Sequence, residues 1–394
     1  ELAKGQVKSS SDTHGESKTS LGKVFKLSAL SLLLLDVAST AYAASSAPAG
    51  AGDGKYEAIA LGARSSAAPG AVVIGAGSIA TGNIKGVAIG HTVYANGQDA
   101  VAIGSNSRSV TQGAALGRLA NASSSATALG NQATASGSKS LAAGNEATAS
   151  GESSVAAGDG ANASGGNALA MGLSACATQR SSLALGPNAK AQGTSTIALG
   201  DGAITSDDSD AMALGSSANA SGINALALGK SASATKGSAM ALGPRAKANA
   251  AAGIALGMDA NVSTEYSIAL GAGSTAGARN ALTSIQVSGV EVGNNGKANG
   301  AAVLAVGNST AARQVQYVSA GLIGADSTDA INGSQLYRVI TAVNATATTA
   351  KAALSTATIA NTTANTANTT ANRANTTANA ANTTANAANT TANT

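Results

Sequence analysis

From residue 58 a short phrase returns about every fourteen residues, and this period limits the fold more than any other property of the chain. Ala58-Ile-Ala-Leu-Gly62 recurs as Ala71-Val-Val-Ile-Gly75, Val87-Ala-Ile-Gly90 and Val101-Ala-Ile-Gly104, and later as Leu183-Ala-Leu-Gly186 and Ile268-Ala-Leu-Gly271. Sixteen copies close on a glycine; ten of the fifteen intervals are 14 residues, three are 13 and two are 15. The turn glycines singled out are Gly62, Gly104, Gly144, Gly158, Gly172, Gly186, Gly200, Gly229, Gly243, Gly257 and Gly271. A second phrase lies between the copies, as in Ala133-Thr-Ala-Ser-Gly137 and Ala218-Asn-Ala-Ser-Gly222. Alternation at period two means strand, and glycine supplies the positive φ of a tight turn. Two strands and two turns per repeat describe one coil of a narrow β-solenoid, stacked at about 4.8 Å per coil into a rod of roughly 75 Å.

Composition agrees with a thin, regular core. The 394 residues include no Trp, one Phe and six Tyr, and only 11% are charged, against roughly 25% in an average soluble protein. Gly numbers 48, and 44% of residues are apolar, most of them Ala. That balance excludes an enzyme built around a deep, shaped pocket. The Ile, Leu, Val and Met of each phrase are expected inside the coil, and the Ala face is expected to pack on other chains. Two weaker copies, Val290-Glu-Val-Gly293 and Val303-Leu-Ala-Val-Gly307, follow an interval of 22 residues that the repeat does not explain.

Residues 1–43 read as an export signal. Lys18, Lys23 and Lys26 precede the apolar run Leu27–Leu35, and Ala41-Tyr42-Ala43 forms a small-residue cleavage site. The run is too short to span a bilayer, which needs about 20 apolar residues; a buried core helix is the alternative. The chain does not begin with Met, which suggests a start inside a longer signal region. The expected organisation is an extended signal region over 1–43, a linker over 44–57, a head over 58–310, a neck over 311–337 and a stalk over 338–394.

The end of the chain changes period. Leu336, Ile340, Val343, Ala347, Ala350, Leu354 and Ala357 follow 4-3 spacing, and Asn361, Asn368 and Asn375 continue it in seven-residue repeats such as Asn375-Thr-Thr-Ala-Asn-Ala-Ala381. That is a coiled-coil seam with Asn and Ala layers. An Ala/Ala register through Ala364, Ala367, Ala371 and Ala374 also fits, as does a low-complexity tail. An Asn layer between three helices would suit an anion or a water.

The junction is the most specific segment. It reads Ala312-Arg-Gln-Val-Gln-Tyr-Val-Ser-Ala-Gly321, then Ser327-Thr-Asp-Ala-Ile-Asn-Gly-Ser-Gln-Leu336. This resembles the neck of the trimeric autotransporter adhesins (the YadA-like family). Arg313, Gln314, Gly321, Asp329, Ala330, Asn332, Gln335 and Leu336 match the family's pattern, with Ser319 and Ile331 as mild departures. The resemblance implies a trimeric all-β head, a left-handed parallel β-roll, followed by the neck and an α-helical trimeric coiled-coil stalk. It implies neck and trimerisation roles for Arg313, Gln314, Gly321, Asp329, Asn332, Gln335 and Leu336, with Ile340, Val343, Leu354, Asn361, Asn368 and Asn375 in the stalk core. It further implies a homotrimer on the surface of a Gram-negative bacterium, held in the outer membrane by a C-terminal barrel that would follow Thr394. The partner would be a host matrix protein or cell-surface receptor; a structural fibre or autoagglutinin without a host ligand is the alternative.

The neck also has its own local logic. Ser327 or Thr328 is expected to cap a helix beginning near Asp329, and Arg313 to reach a carboxylate or carbonyl of a neighbouring chain.

Catalytic chemistry has little material. His14 and His91 are the only histidines, too few for a triad or a His-rich metal site. Cys176 stands alone and reads as a small buried residue. Asp207-Asp-Ser-Asp210 lacks the ligand spacing of an EF-hand and reads as a lengthened turn. The net charge of +4 comes with no basic cluster and few aromatics, which argues against nucleic acid as a partner. No enzyme activity, cofactor or metal is expected. A hexapeptide acyltransferase would need a period in multiples of six, and an ice-binding solenoid a Thr in register on every coil.

Overall fold

The structure, a computed structural model, describes residues 58–82, 85–206, 210–279, 285–287, 290–292, 302–324 and 327–394. The expected signal region and linker, His14, Asp207, Asp208 and Gly293 lie outside the described residues. The chain divides into two compact units, one ending at Arg313 and the other running from Gln314 to Thr394.

A representative coil shows how the first unit is built. Leu141–Ala143 is a strand, Gly144 turns the chain, Thr148–Ala149 is a second strand, and the chain returns to the strand Val155–Ala157. Leu141 then pairs in parallel with Val155, and Thr148 with Asn162. Repeated along the chain, this gives a parallel β-roll with one sheet of 17 strands and another of 16. We call them the long-strand and short-strand sheets, since most strands have three residues in the former and two in the latter. At Gly172 the turn has φ +131°, and a Cβ there would lie 2.6 Å from the Gly186 carbonyl carbon of the next coil. The turn therefore needs glycine for conformation and for the closeness of stacking.

The interior reverses the expected sidedness. The side chains facing inward in this coil are Ala142, Ala147, Ala149 and Ser154, all fully buried. Leu141 and Val155 face outward, half-buried. Along most of the roll the interior columns are Ala, while the Ile, Leu, Val and Met of each phrase form the outer face of the long-strand sheet. The physical reason is width: the two sheets approach so closely that a methyl fills the space. A larger side chain enters where a neighbour shrinks, as Val262 does beside Gly253, whose Cβ would stand 2.9 Å from Val262 Cγ1.

Interior hydroxyls are accommodated locally. Ser140 Oγ donates to the Gly137 carbonyl (2.6 Å), Ser154 Oγ to Gly151 (2.7 Å) and Thr196 Oγ1 to Gly193 (2.8 Å). Each closes on a turn carbonyl three residues back, so the buried oxygen keeps a partner.

The late copies of the repeat part company. Val290–Val292 is not a coil; it pairs antiparallel with Ile285–Val287 in a hairpin, Ile285 opposite Val292. The copy at Val303 rejoins the roll, with Leu304 beside Ile268 and Ala305 beside Ala269. The fourteen-residue separation of the two copies therefore spans an excursion from the roll.

In the second unit, helix α1 runs from Gly333 to Ala392, about 90 Å at 1.5 Å per residue. It starts later than expected. Asn332 is the N-cap, its side chain accepting from Gln335 N (3.2 Å), while Gln335 Oε1 accepts from Asn332 N (3.1 Å). This capping box outcompetes the expected cap, and Ser327 Oγ instead accepts the Asp329 N–H (3.2 Å). No residue of α1 is buried. Its threonines donate to the carbonyl four residues back, as Thr362 does to Thr358 (2.9 Å).

Candidate functional site: an outer aliphatic face, a sealed roll end and a neck clasp

The period that puts Ala inside puts larger aliphatics in register outside. Val87 and Ile89 flank Ala88, Leu183 and Leu185 flank Ala184, and Ile254 and Leu256 flank Ala255. Leu129, Leu228 and Leu256 remain 41–49% exposed. The result is a continuous apolar stripe along the long-strand sheet, of the kind that marks an interaction surface. The short-strand sheet turns outward a different chemistry, with Thr134, Thr148, Asn162, Lys190, Ser233 and Lys247 at equivalent positions. Sequence reading found both sets of residues but assigned the aliphatic set to the interior.

The roll end near residue 307 is sealed by two side chains of its own chain. Arg313 Nη1 donates to Ser274 Oγ (2.9 Å) and to the Val306 carbonyl (2.7 Å), and Nη2 donates to the Ala272 carbonyl. Elsewhere the equivalent carbonyls accept backbone N–H groups of the following coil, as Leu256 does from Gly271 and Met258 from Gly273. The guanidinium thus stands in for the coil that is not there, presenting several donors from one planar group. Asn308 assists: Nδ2 donates to the Gly273 carbonyl (2.7 Å), and Oδ1 accepts from Thr310 N (2.9 Å) and Ala311 N (2.8 Å). Arg313 makes all three of these contacts within its own roll. Asn308 was missed in the sequence, although its place just after a repeat glycine marks it.

In the second unit four neck residues meet. Gln335 Nε2 donates to the Gly321 carbonyl (2.7 Å), and Gln335 Oε1 accepts the Gly321 N–H (3.1 Å). Asn332 Nδ2 donates to the Val318 carbonyl (3.1 Å), and Asp329 Oδ2 accepts the Leu322 N–H (2.9 Å). Side-chain amides and a carboxylate thereby fasten residues 318–322 alongside the start of α1. Gln314 stands apart, 3.4 Å from Gln316 Nε2. Leu336 is 50% exposed, and Ile340, Val343, Leu354, Asn361, Asn368 and Asn375 are exposed along α1. The eleven turn glycines singled out all have φ between +109° and +144°.

The remaining candidates form no reactive constellation. Among the described residues no group of His, Cys, Asp and Glu is placed to hold a metal. His91 Nδ1 lies 3.0 Å from Thr92 Oγ1. Cys176 sits half-buried on the outer side of the short-strand sheet; burial pushes its thiol pKa up, with the Lys190 charge opposing. No helix among the described residues is long and apolar enough to cross a membrane.

A parallel repeat roll with an aliphatic outer face and a long capped helix define the class: a repeat-built roll joined in sequence to a heptad helix. Known families match where the geometry says they should. The YadA head domain repeat matches in seven segments between residues 84 and 274, of which the last two overlap, and the coiled stalk of trimeric autotransporter adhesins matches residues 318–359. The autotransporter adhesin BtaE of Brucella suis is 36% identical over 66 residues, 17% of this chain and 9% of that protein, so the chain spans about a tenth of that relative's length. Among solved structures, the C-terminal YadA-like domain of a Burkholderia pseudomallei protein is 34% identical, covering 25% of this chain and 47% of that one, with a TM-score of 0.24. The collagen-binding domain of the Yersinia adhesin YadA is 22% identical, covering 55% of this chain and 82% of that one, also with a TM-score of 0.24. The chain belongs to the YadA-like trimeric autotransporter adhesins. Its matched segments are the head repeat and the coiled stalk of that family.

Proposed function

We propose that the chain is the head and upper stalk of a homotrimeric fibre that attaches a bacterium to host cells or extracellular matrix. The aliphatic outer face carries the reading. A buried methyl contributes roughly 0.8 kcal/mol, whereas burying an outer Leu or Ile against another surface contributes roughly 1.5–3 kcal/mol. The largest reservoir of burial therefore lies outside the single chain, and a second and third copy are its complement. Ile340, Val343 and Leu354, with Asn361, Asn368 and Asn375 below them, form the seam of α1 in the same trimer. The neck residues Gly321, Asp329, Asn332 and Gln335 hold each helix start in place for it.

In this reading residues 1–43 direct export, and the fibre is held in the outer membrane by a barrel beyond Thr394. The polar short-strand face and the turns are then left for contact with the host, and many weak contacts add through avidity. The test uses residues 44–394. Light scattering should give the mass of three chains, and the protein should adhere to cultured host cells or immobilised matrix proteins. A monomer would refute the trimer. A trimer that adheres to neither would turn the reading toward a structural fibre.

A further inference from the structure

The short-strand sheet carries one aromatic ring on its outer side. Tyr94 stands in the strand Tyr94–Asn96, with Ala95 buried beneath and Tyr94 42% exposed. Its neighbours across the ladder are Ile79 on one side and Arg108 on the other. Asn96 and Thr81 stand beside it, Thr81 Oγ1 donating to Asn96 Oδ1 (3.1 Å). Further along the same column the outer residues are Asn121, Thr134, Thr148 and Asn162, with Lys190, Ile204 and Lys247 beyond, so the ring and the guanidinium adjoin a run of small polar groups. Among the described residues neither Tyr94 Oη nor the Arg108 guanidinium has a hydrogen-bond or ion-pair partner. The strand ladders elsewhere do not need them.

We propose that Tyr94 and Arg108 form a binding platform for a carboxylated sugar, as the host-facing contact of the adhesin proposed above. An exposed tyrosine ring in a flat sheet offers an apolar face with a polar tip, which suits the apolar face of a pyranose with its hydroxyls at the rim. One ladder step away, the planar guanidinium suits a carboxylate in bidentate fashion. Asn96 and Thr81 supply hydroxyl and amide groups at the edge. A peptide added as a strand is disfavoured here, because this strand is already paired on both sides. Nucleic acid is disfavoured because affinity for it grows with the number of cations, and Arg108 is the one cation in this group. Asp99, the nearest carboxylate along the chain, lies in the turn beyond Asn96 and not on the sheet face.

The test measures binding of the full chain to 3′-sialyllactose and hyaluronan tetrasaccharide, with lactose and chitotetraose as neutral counterparts. The carboxylated sugars should bind at least roughly tenfold more tightly than the neutral ones. Arg108→Gln should bring both classes to the neutral level, Tyr94→Ala should remove both, and Tyr94→Phe should retain most binding. Unchanged unfolding midpoints show that the variants keep the roll. Equal binding of charged and neutral sugars, or wild-type binding by Tyr94→Ala, overturns the platform. Cell attachment run in parallel separates this from the adhesin reading on which it rests. Attachment that survives Tyr94→Ala removes the platform alone, whereas a wild-type chain that attaches to no cell or matrix removes the adhesin reading itself.

Discussion

Each residue of the repeat is decided by how near the next coil is. Most interior positions accept a methyl, and Thr205 shows what happens when one takes more. It is fully buried in a column of Ala, and its hydroxyl has no partner. Thr205→Val keeps the shape and removes the unsatisfied oxygen, so urea denaturation should show a gain of about 1 kcal/mol. Charged residues, by contrast, act at the solvent edge. Arg245 Nε and Nη2 hold both oxygens of Asp259 at 2.7 and 2.6 Å across one coil. Those hydrogen bonds, with the Arg245 and Lys247 charges, hold the Asp259 carboxyl below its ordinary pKa, against a smaller desolvation effect. The stabilisation is present above the unfolded-state pKa and disappears as pH falls through the lower folded value. Carbon-detected NMR titration should show Asp259 ionising below a typical aspartate, and Arg245→Gln should bring it back up. Because both side chains lie at the solvent-exposed surface, unfolding midpoints should change little with this substitution.

At the scale of elements, a few polar side chains finish the roll and start the helix. Removing the guanidinium in Arg313→Ala uncovers the Val306 and Ala272 carbonyls, and amide exchange at 304–307 should rise severalfold while the coils before residue 260 keep their protection. Arg313→Lys should rescue only partly, since one ammonium cannot hold the planar set of donors that spans three acceptors. Much of this level was legible beforehand. The period gave the strands, and Asn332 with Gln335 three residues on is a readable capping signature that a reading centred on Ser327 passed over. The direction of the alternating strand was not legible. Alternation tells which residues share a face, but which face is inside depends on the distance between sheets, and that is set by the stacking of both strands at once. The partners of Arg313 were equally hidden, because Ala272 and Ser274 lie some forty residues back and belong to a coil the hairpin at 285–292 separates from it.

For the whole molecule, the aliphatic face makes folding and assembly separable. Leu185 and Leu199 are adjacent outer positions of the long-strand sheet. Replacing both with Lys leaves the Ala interior untouched, so circular dichroism should still report strand. Light scattering should report loss of the proposed trimer, because apolar burial is exchanged for two like charges with no partner; a double variant that keeps the mass of three chains would show that the copies meet elsewhere. The same sheet also bears on inheritance. Along most of the roll successive coils present the same Ala columns and the same glycine turn, and the end near Arg313 is closed by side chains instead. An unequal recombination that inserts or deletes fourteen codons would hand on an in-frame roll whose ladders and seal are intact. The length of the roll is thereby a heritable quantity that can change in one genetic event without inventing a new fold.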